Sequence, residues 1–431
     1  MSKSPAAKIT LNTRLLPLIC FIALAFVILD GYRGWSVLLV GSGGVWLFSY
    51  LWARALAQGL AIHREIRFGW AQVGDRLEER FILTNRARVP ALWVEVVGQS
   101  NMPDYWANQV RAVNRQSETR WSIRGLCTRR GLYTLGPTTL QTSDPFGVYS
   151  IILHDPAAIT LMVIPPILPL PQIQVAPGGR AGDGTPRVHA PEPIISASSL
   201  REYTPNDSLR WIHWPTSAKH NEFFVRVFEG APAGDWWIML DLERSAQVGE
   251  GYDTTDEYGI LLAASLTDRG MRAGRSVGLL AHSHNSFIWH PPRMSDEARW
   301  SILRSLALVE PGDISLSELL NISRPQLGQN TSLILITPAV KGKWIEALLS
   351  VRRLGVVPTV LLLDPVSFGG RLSSDDLHAQ LTSLGITCKI IPRGLLDYRQ
   401  RYDQPPAGVM PTRKFQRRAI DNQSFASYDR P

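Results

Sequence analysis

Asp235-Trp-Trp-Ile-Met-Leu-Asp241-Leu-Glu243-Arg-Ser245 sets an apolar run directly against two acids, and its reading decides the fold. A strand apolar on both faces must be covered on both faces, which is the condition of a parallel sheet held between helices. Similar runs recur at Val277–His282, Ser332–Thr337, Val357–Leu363 and Thr387–Ile391. Between them, the spacing of apolar residues predicts helices over Thr255–Arg272, Asp296–Val309, Lys343–Leu354 and Asp375–Leu384. Ser286–His290 is read as an antiparallel edge strand. The alternation predicts a doubly wound α/β module over residues 176–400, with any ligand at the carboxyl ends of its strands.

Asp241, Glu243 and Ser245 stand at such an end. Their spacing resembles the DxSxS metal-ion-dependent adhesion motif, in which a carboxylate and two hydroxyls offer hard oxygen ligands to Mg²⁺ from one loop. Glu243 replaces the first Ser, and the run Ser332–Ile336 leads into Thr337-Pro338 where a second acid would be wanted. Thr254 or Thr255 would be the source of a further hydroxyl. With so incomplete a shell the expectation is no bound cofactor, and a Mg²⁺ site on Asp241, Glu243 and Ser245 is the alternative. His282, His284 and His290 cluster in a hairpin-like region but have no Cys or carboxylate at a compatible spacing, so no zinc site is expected. The three cysteines, Cys20, Cys127 and Cys388, form no CxxC pair. GxSxG, Walker and GxGxxG motifs are all missing from the sequence, and the chain is expected not to be an enzyme.

Upstream lies a dense polar segment, Leu200-Arg-Glu-Tyr-Thr-Pro-Asn-Asp-Ser-Leu-Arg-Trp-Ile-His-Trp214. Arg201, Tyr203, Asp207, Arg210, His213 and Trp214 sit close enough to form either a network locking a turn to a strand or a binding site. These residues, with Ile212, Ala218, Val225 and Glu229, resemble the signature of the bacterial and archaeal family catalogued as domain of unknown function 58. Arg130-Gly131-x-Tyr133-x-Leu135-Gly136-Pro137 and Asp144-Pro-Phe-Gly147 resemble that family too, as does the N-terminus described below. Two positions depart from its pattern: Asn206 stands where Gly is usual, and Pro215 where Lys is common. The resemblance implies a von Willebrand A-like module, often encoded beside MoxR-type AAA+ ATPases.

Before that segment, residues 165–184 read as a boundary, because PPILPLPQ followed by PGGRAGDG holds neither a helix nor a central strand. GGRAGDG lacks the GK[ST] that would end a phosphate loop. From residue 63 to 175, short runs at Leu77–Thr84, Ala91–Val97, Thr119–Ile123, Tyr133–Leu135, Thr139–Thr142, Tyr149–Leu153 and Thr160–Ile164 predict an antiparallel, sandwich-like β module. Within it Asp144 is read as the cap of an Asp-Pro turn, not as a catalytic acid.

The first 62 residues are the most apolar. Leu15–Leu29 and Gly34–Ala53 carry no charge, and Asp30-Gly-Tyr-Arg-Gly34 between them has room only for a tight turn. They predict a transmembrane helical hairpin with spans at about 13–30 and 34–54, the first slightly short of the roughly 20 residues a bilayer asks for. Lys3, Lys8 and Arg14 before the spans and Arg54, Arg64 and Arg67 after them outnumber Arg33 in the turn. The positive-inside rule therefore places both termini in the cytoplasm and the chain in the cytoplasmic membrane, with Trp46, Tyr50 and Trp52 as an aromatic belt. Part of the net charge of +8 is carried by residues 401–431, read as a disordered basic tail, and no nucleic-acid partner is expected. The whole is read as a multi-domain membrane protein: hairpin, β-sandwich-like domain, α/β von Willebrand A-like domain. Its expected role is to present the last of these to a protein partner such as a MoxR-type ATPase; the alternative is a divalent-metal-dependent enzyme or metal-regulated adhesion-type binding at the Asp241 loop.

Overall fold

The structure, a computed structural model, describes residues 6–170, 173–176, 197–203, 212–220, 222–228, 235–284, 286–328 and 331–396. Asp207, Arg210, the PGGRAGDG stretch and the basic tail lie outside the described residues. The chain divides into two compact units, meeting at Ile164 and Pro165.

The first unit begins with a strand the sequence did not announce, β1 (Ala6–Leu11). Two helices follow, α1 (Leu15–Asp30) and α2 (Arg33–Gly59). Gly31, at φ 62°, ends α1 in the left-handed conformation that costs glycine least. The helices pack antiparallel: Phe26 stacks on Trp35 with ring centroids 4.5 Å apart, and the Cys20 thiol lies 3.3 Å from Ser42 Oγ. One of them, α2, is long and apolar enough to cross a membrane, while α1 is apolar but shorter, at 16 residues.

α2 runs on past Ala53 and sinks its last turns into a β-rich core. The strands are β2 (Leu60–Ile66), β3 (Trp70–Gln72), β4 (Arg76–Asn85), β5 (Ala91–Ser100) and β6 (Gln109–Val113). After them come β7 (Ser117–Leu126), β8 (Gly131–Ser143), β9 (Tyr149–Asp155) and β10 (Ile159–Ile164). β2, β4 and β7 make one sheet; the other runs β1-β9-β8-β10-β3, with β5 on β8 and β6 on β5. Leu60 and Leu83 of the first sheet share a core with Val94, Val96, Leu140, Ile151 and Leu153 of the second, and Ala53 and Leu56 of α2 join them. Two predicted runs fuse into β8, which continues through Gly136-Pro137. The hairpin is therefore not a separate domain of residues 1–62: β1 pairs along its length with β9, and α2 supplies part of the β core.

Away from that core, Arg64 and Glu79 form an ion pair at 2.6 Å with side chains 2% and 0% exposed. Thr138 Oγ1 accepts from Arg64 at 3.1 Å, and the Tyr105 hydroxyl donates to the other Glu79 oxygen. Burial and that bond to Glu79 push the Tyr105 pKa up.

The second unit opens with the described residues 165–170 and 173–176, which the sequence assigned to the β module. They pack instead on the α/β unit, where Arg269 Nη1 donates to the carbonyls of Leu170 and Ile173 at 2.8 and 2.5 Å. A two-stranded ribbon of β11 (Ala197–Glu202) and β12 (Phe224–Phe228) carries α3 (Trp214–His220) in its connection. β13 (Trp236–Leu240) starts the main sheet and leads, through a short β14 (Gly249–Glu250) and β15 (Asp253–Thr254), into α4 (Thr255–Arg272). β16 (Val277–Ser283), β17 (Ser286–Arg293), α5 (Asp296–Leu308) and α6 (Leu316–Ser323) follow. The chain then alternates β18 (Ser332–Thr337), α7 (Trp344–Arg352), β19 (Val357–Leu363), α8 (Asp375–Ser383) and β20 (Thr387–Ile391).

The six strands lie in the order β17-β16-β13-β18-β19-β20, all parallel except β17. One face buries Trp237, Met239, Leu335 and Leu362 against Leu320 of α6, Leu348 of α7 and Leu381 of α8. α4 covers the other face, over β13 and its neighbours. Connections from β13 and β18 leave in opposite directions, so the carboxyl ends of this pair form the topological switch point, where open α/β sheets bind ligands.

Candidate functional site

Asp241 is the residue that follows β13, and it is 2% exposed. Its backbone N–H continues the pairing with β18, donating to Ile336 O at 2.9 Å. Its carboxylate is consumed on both sides. Oδ2 accepts from the Thr337 hydroxyl at 2.6 Å, and Oδ1 accepts from the Glu243 N–H at 3.1 Å. Burial pushes its pKa up from 3.8 to about 6; these two hydrogen bonds pull the other way, and the neighbouring Glu243 charge raises it further.

The loop that carries Asp241 is stapled in place. Gln247 Nε2 donates to the carbonyls of Asp241 and Glu243 at 3.1 and 3.2 Å, while its Oε1 accepts from Thr255 Oγ1 at 2.8 Å. Arg244 N–H donates to Gly312 O, and Gly312 N–H to Leu242 O, both at 2.8 Å. Gly312 has to be a glycine for this contact, since a Cβ there would lie 2.9 Å from His282 Nδ1 and from the His282 carbonyl. Ser245 turns its hydroxyl onto Glu243 Oε1 at 2.6 Å.

Outside the carboxyl ends of β13, β18 and β19 these loops enclose a cavity of about 260 Å³. Glu243, Ser245, Lys341, Arg371 and Leu372 line it, and Asp241 does not reach it. Lys341 and Arg371 are exposed, and no hydrogen bond or ion pair with the described residues ties up either one. The opening is thus edged by two cations and one acid.

The sequence placed Asp241, Glu243 and Ser245 together, and the structure brings all three into one loop. In this arrangement a hard cation would have to displace existing hydrogen bonds. Both Asp241 oxygens already face donors, the Ser245 hydroxyl spends its proton on Glu243, and the Gln247 amide occupies the carbonyls a cation would use. Thr255 is equally committed, donating to Gln247 and accepting from Val248 N–H at 2.9 Å. Among the described residues no group of three or more His, Cys, Asp or Glu converges. His290 reaches Ser305 Oγ at 2.8 Å and is held below the usual histidine pKa by burial, while His284 Nδ1 lies 3.8 Å from Asp313.

The signature residues divide. The side chain of Arg201 and all of Asp207 and Arg210 lie outside the described residues. Tyr203 and Trp214 both meet the Phe223 ring edge-on, at 6.1 and 6.2 Å, and His213 Nδ1 caps the start of α3 by accepting from Thr216 N–H at 3.3 Å, with Thr216 Oγ1 2.7 Å away. Among the described residues these contacts link the ends of the β11–β12 ribbon to α3. Asp144 likewise caps its turn, accepting from Phe146 N–H at 2.9 Å and Tyr149 N–H at 2.6 Å. Thr337, Gln247, Lys341 and Arg371 were not singled out as site residues. The one signal pointing to them was position, since Thr337 ends β18 and the others stand in the loops that follow β13, β18 and β19.

Comparison with known proteins gives likenesses of unequal reach. The CARDB domain of a Pyrococcus furiosus protein aligns with 25% of this chain and 90% of itself, at 13% identity and a TM-score of 0.19. A β-glucosidase from Listeria innocua aligns with 24% of this chain and 16% of itself, at 11% identity and a TM-score of 0.17. Uncharacterised proteins of Mycobacterium tuberculosis and Mycobacterium bovis are each 20% identical over 181 residues, 41% of this chain and 57% of theirs. The chain therefore spans little more than half the length of these relatives. The family model described as "Protein of unknown function DUF58" matches residues 199–366, a segment that starts within β11 and holds β12, the Asp241 loop and Thr337.

Proposed function

We propose that this chain is a membrane-anchored, non-catalytic interaction protein whose α/β module, read as von Willebrand A-like, offers its strand-end face to a protein partner. The observation that carries this reading is the division of labour at the switch point. The buried acid is locked to Thr337 and Glu243, while the groups turned to solvent are the charged Glu243, Lys341 and Arg371 around a 260 Å³ opening. A general acid, nucleophile or metal ligand has to be available to substrate; charged groups at the edge of a crevice serve instead to orient a partner. A metal-dependent activity on Asp241, Glu243 and Ser245 would have to break the internal bonds first.

The anchor is read as two spans with both flanks in the cytoplasm. In support, large apolar side chains such as Phe21, Ile28, Val37, Val40 and Leu47 are exposed along both helices. The chain before α1 and the chain after α2 enter the same β module, so the two helix flanks belong on one side. Cleavage after α1, as in a signal peptide, would discard β1 and leave β9 with an open edge.

The partner class we name is a MoxR-type AAA+ ATPase, on the family resemblance of the 200–229 segment. The test is affinity capture from detergent-solubilised membranes, using the whole chain and a Lys341→Glu/Arg371→Glu double variant. Capture of an ATPase by the unaltered chain, reduced roughly tenfold in the variant, is the expected result. Equal capture by both would remove the strand-end face as the docking surface, and capture of no ATPase would remove the partner. Carbonate extraction that releases the chain, or a C-terminal reporter found outside the cytoplasm, would remove the anchor.

A further inference from the structure

The Asp144–Gly147 turn carries an exposed aromatic ring with no task in the β core. Phe146 is 59% exposed, yet its backbone is held firmly: Asp144 takes the Phe146 and Tyr149 N–H groups, and Gly147 closes the turn at φ 67°. The turn is also fixed to the chain entering α1, because Asn12 N–H donates to Val148 O at 2.8 Å. On its other side the Phe146 ring meets Phe48 of α2, 6.2 Å between centroids and edge-on. Next to it, Trp46 Nε1 donates to the Tyr149 hydroxyl at 2.7 Å, and Tyr50 packs edge-on against the Tyr149 ring. A girdle of amphipathic rings thus surrounds the place where the first helix begins and the second passes the module.

Lengths say where that girdle sits. α1 has 16 residues, or about 24 Å at 1.5 Å per residue, less than the roughly 30 Å of a bilayer's hydrocarbon core. α2 makes up the difference on one face. Its exposed apolar side chains continue through Leu47, Phe48 and Leu51, while Ala53 and Leu56 turn inward to the β module. From Arg33 to Leu51 this face is about 28 Å long. It matches the core only if the level of Leu47–Leu51, which is the level of Phe146, lies at the membrane boundary and not in open water.

We propose that the β module is seated in the bilayer interface, with Phe146 at the tip of the Asp144–Gly147 turn inserted among the lipids beside Phe48. The occupant of this surface is the lipid bilayer: the patch is continuous with the apolar face of α2, and the Trp46, Tyr50 and Tyr149 rings beside Phe146 are of the kind that settle at headgroup level. The inference rests on the membrane-hairpin reading given under "Proposed function", and its test separates the two.

The photoreactive analogue p-benzoylphenylalanine is placed singly at position 146, at position 21 in α1, and at position 287 in the α/β unit, in the full-length chain. Each protein is reconstituted in vesicles of phosphatidylcholine and phosphatidylglycerol carrying a radiolabelled trace of lipid, then irradiated. The expected lipid adduct at 146 is within roughly twofold of that at 21 and about tenfold above that at 287. An adduct at 21 with none above the 287 level at 146 overturns the seating of the module and leaves the hairpin standing. Adducts at neither 21 nor 146 overturn both. Protein adducts in place of lipid at 146 also overturn the proposal, since another chain would then cover the patch.

Discussion

Replacing Asp241 by Asn perturbs the candidate site at its centre, and the structure fixes both the size and the pH dependence of the effect. Burial raises the Asp241 pKa from 3.8 to about 6 in the fold. Between those values the unfolded chain has released a proton that the folded chain keeps, so stability must fall as pH rises, by about 1.4 kcal/mol per pH unit. Across the window the loss is about 3 kcal/mol, with no screening to subtract because the carboxyl is buried. The contribution is whole below about pH 4 and gone above about pH 6. Asn escapes this loss because it carries no charge. Its Oδ1 still accepts from the Thr337 hydroxyl, but its amide then faces the Glu243 N–H, and leaving that donor unpaired costs about 1–3 kcal/mol.

The two chains should therefore change order with pH. At pH 4 Asp241→Asn is expected to be less stable than the natural chain by about 1–3 kcal/mol, and at pH 8 equal to it or more stable by up to about 2 kcal/mol. Hydrogen exchange at the β13 and β18 amides of the full chain in nanodiscs, corrected for intrinsic rates, reads this difference without requiring global unfolding. Subtracting the variant from the natural chain cancels every other titrating group. Parallel curves between pH 4 and 6, or a natural chain that gains on the variant as pH rises, would refute the assignment of a buried, poorly ionising acid. The same samples test the metal alternative. Saturable, stoichiometric Mg²⁺ uptake by the natural chain that is absent from Asp241→Asn would overturn the cation-free loop.

Arg64→Leu leaves the Glu79 carboxylate buried beside Tyr105 without its counter-charge, and is expected to cost about 3–5 kcal/mol. The Arg64→Leu/Glu79→Leu pair should recover most of that in urea unfolding followed by tryptophan fluorescence, and a single variant costing under about 1 kcal/mol would contradict the picture. Gly312→Ala drives a methyl group into His282 and should loosen the Asp241 loop by about 1–3 kcal/mol, seen as faster exchange at Arg244 and Gly312 and little change in β20. Asp144→Ala orphans the Phe146 and Tyr149 N–H groups; about 1–2 kcal/mol of local stability should go with them, and unchanged protection at Tyr149 would argue against the cap.

How much of this could be read in the sequence depended on where each residue is buried. Ser332–Thr337 and Val357–Leu363 emerge at their predicted bounds, because a strand covered on both faces is apolar throughout and is bounded abruptly by Thr-Pro or Asp-Pro; Thr387–Ile391 also emerges at its bounds, as a partly buried edge strand set off by Gly385 and Pro392. Edge and short elements gave no such pattern. β2 is Leu-Ala-Ile-His-Arg-Glu-Ile and buries its Arg64, so its polarity hid a strand; α6 has eight residues, too few for a helical period to declare itself. At the site, position in the sheet singled out Asp241, but the carboxylate's fate did not follow from its type. Its fixed partner, Thr337, is 96 residues away, and Gln247 holds the loop through backbone carbonyls that any sequence would supply. An acid with a hydroxyl two residues on looks the same whether the pair awaits a cation or, as with Glu243 and Ser245, hydrogen-bonds to itself.

The N-terminal third shows the same limit from the other side. Hydropathy alone marks two greasy helices, and it stops being informative where they stop being greasy, which is why β1 and the last turns of α2 were invisible. Those are the parts that give the anchor its mechanics. β1 is held by β9 through six register pairs, and Ala53 and Leu56 are fully buried among Leu83, Val96 and Ile151. Sliding α2 by one turn, about 5.4 Å, would pull both residues out of that core. If α2 spans the bilayer as proposed, a helix so keyed cannot adjust its depth on its own, so any mismatch with the bilayer must be met by the lipid or by moving the β module with it. The rings of Trp46, Phe48, Phe146 and Tyr149 are gathered at the level where that accommodation has to occur.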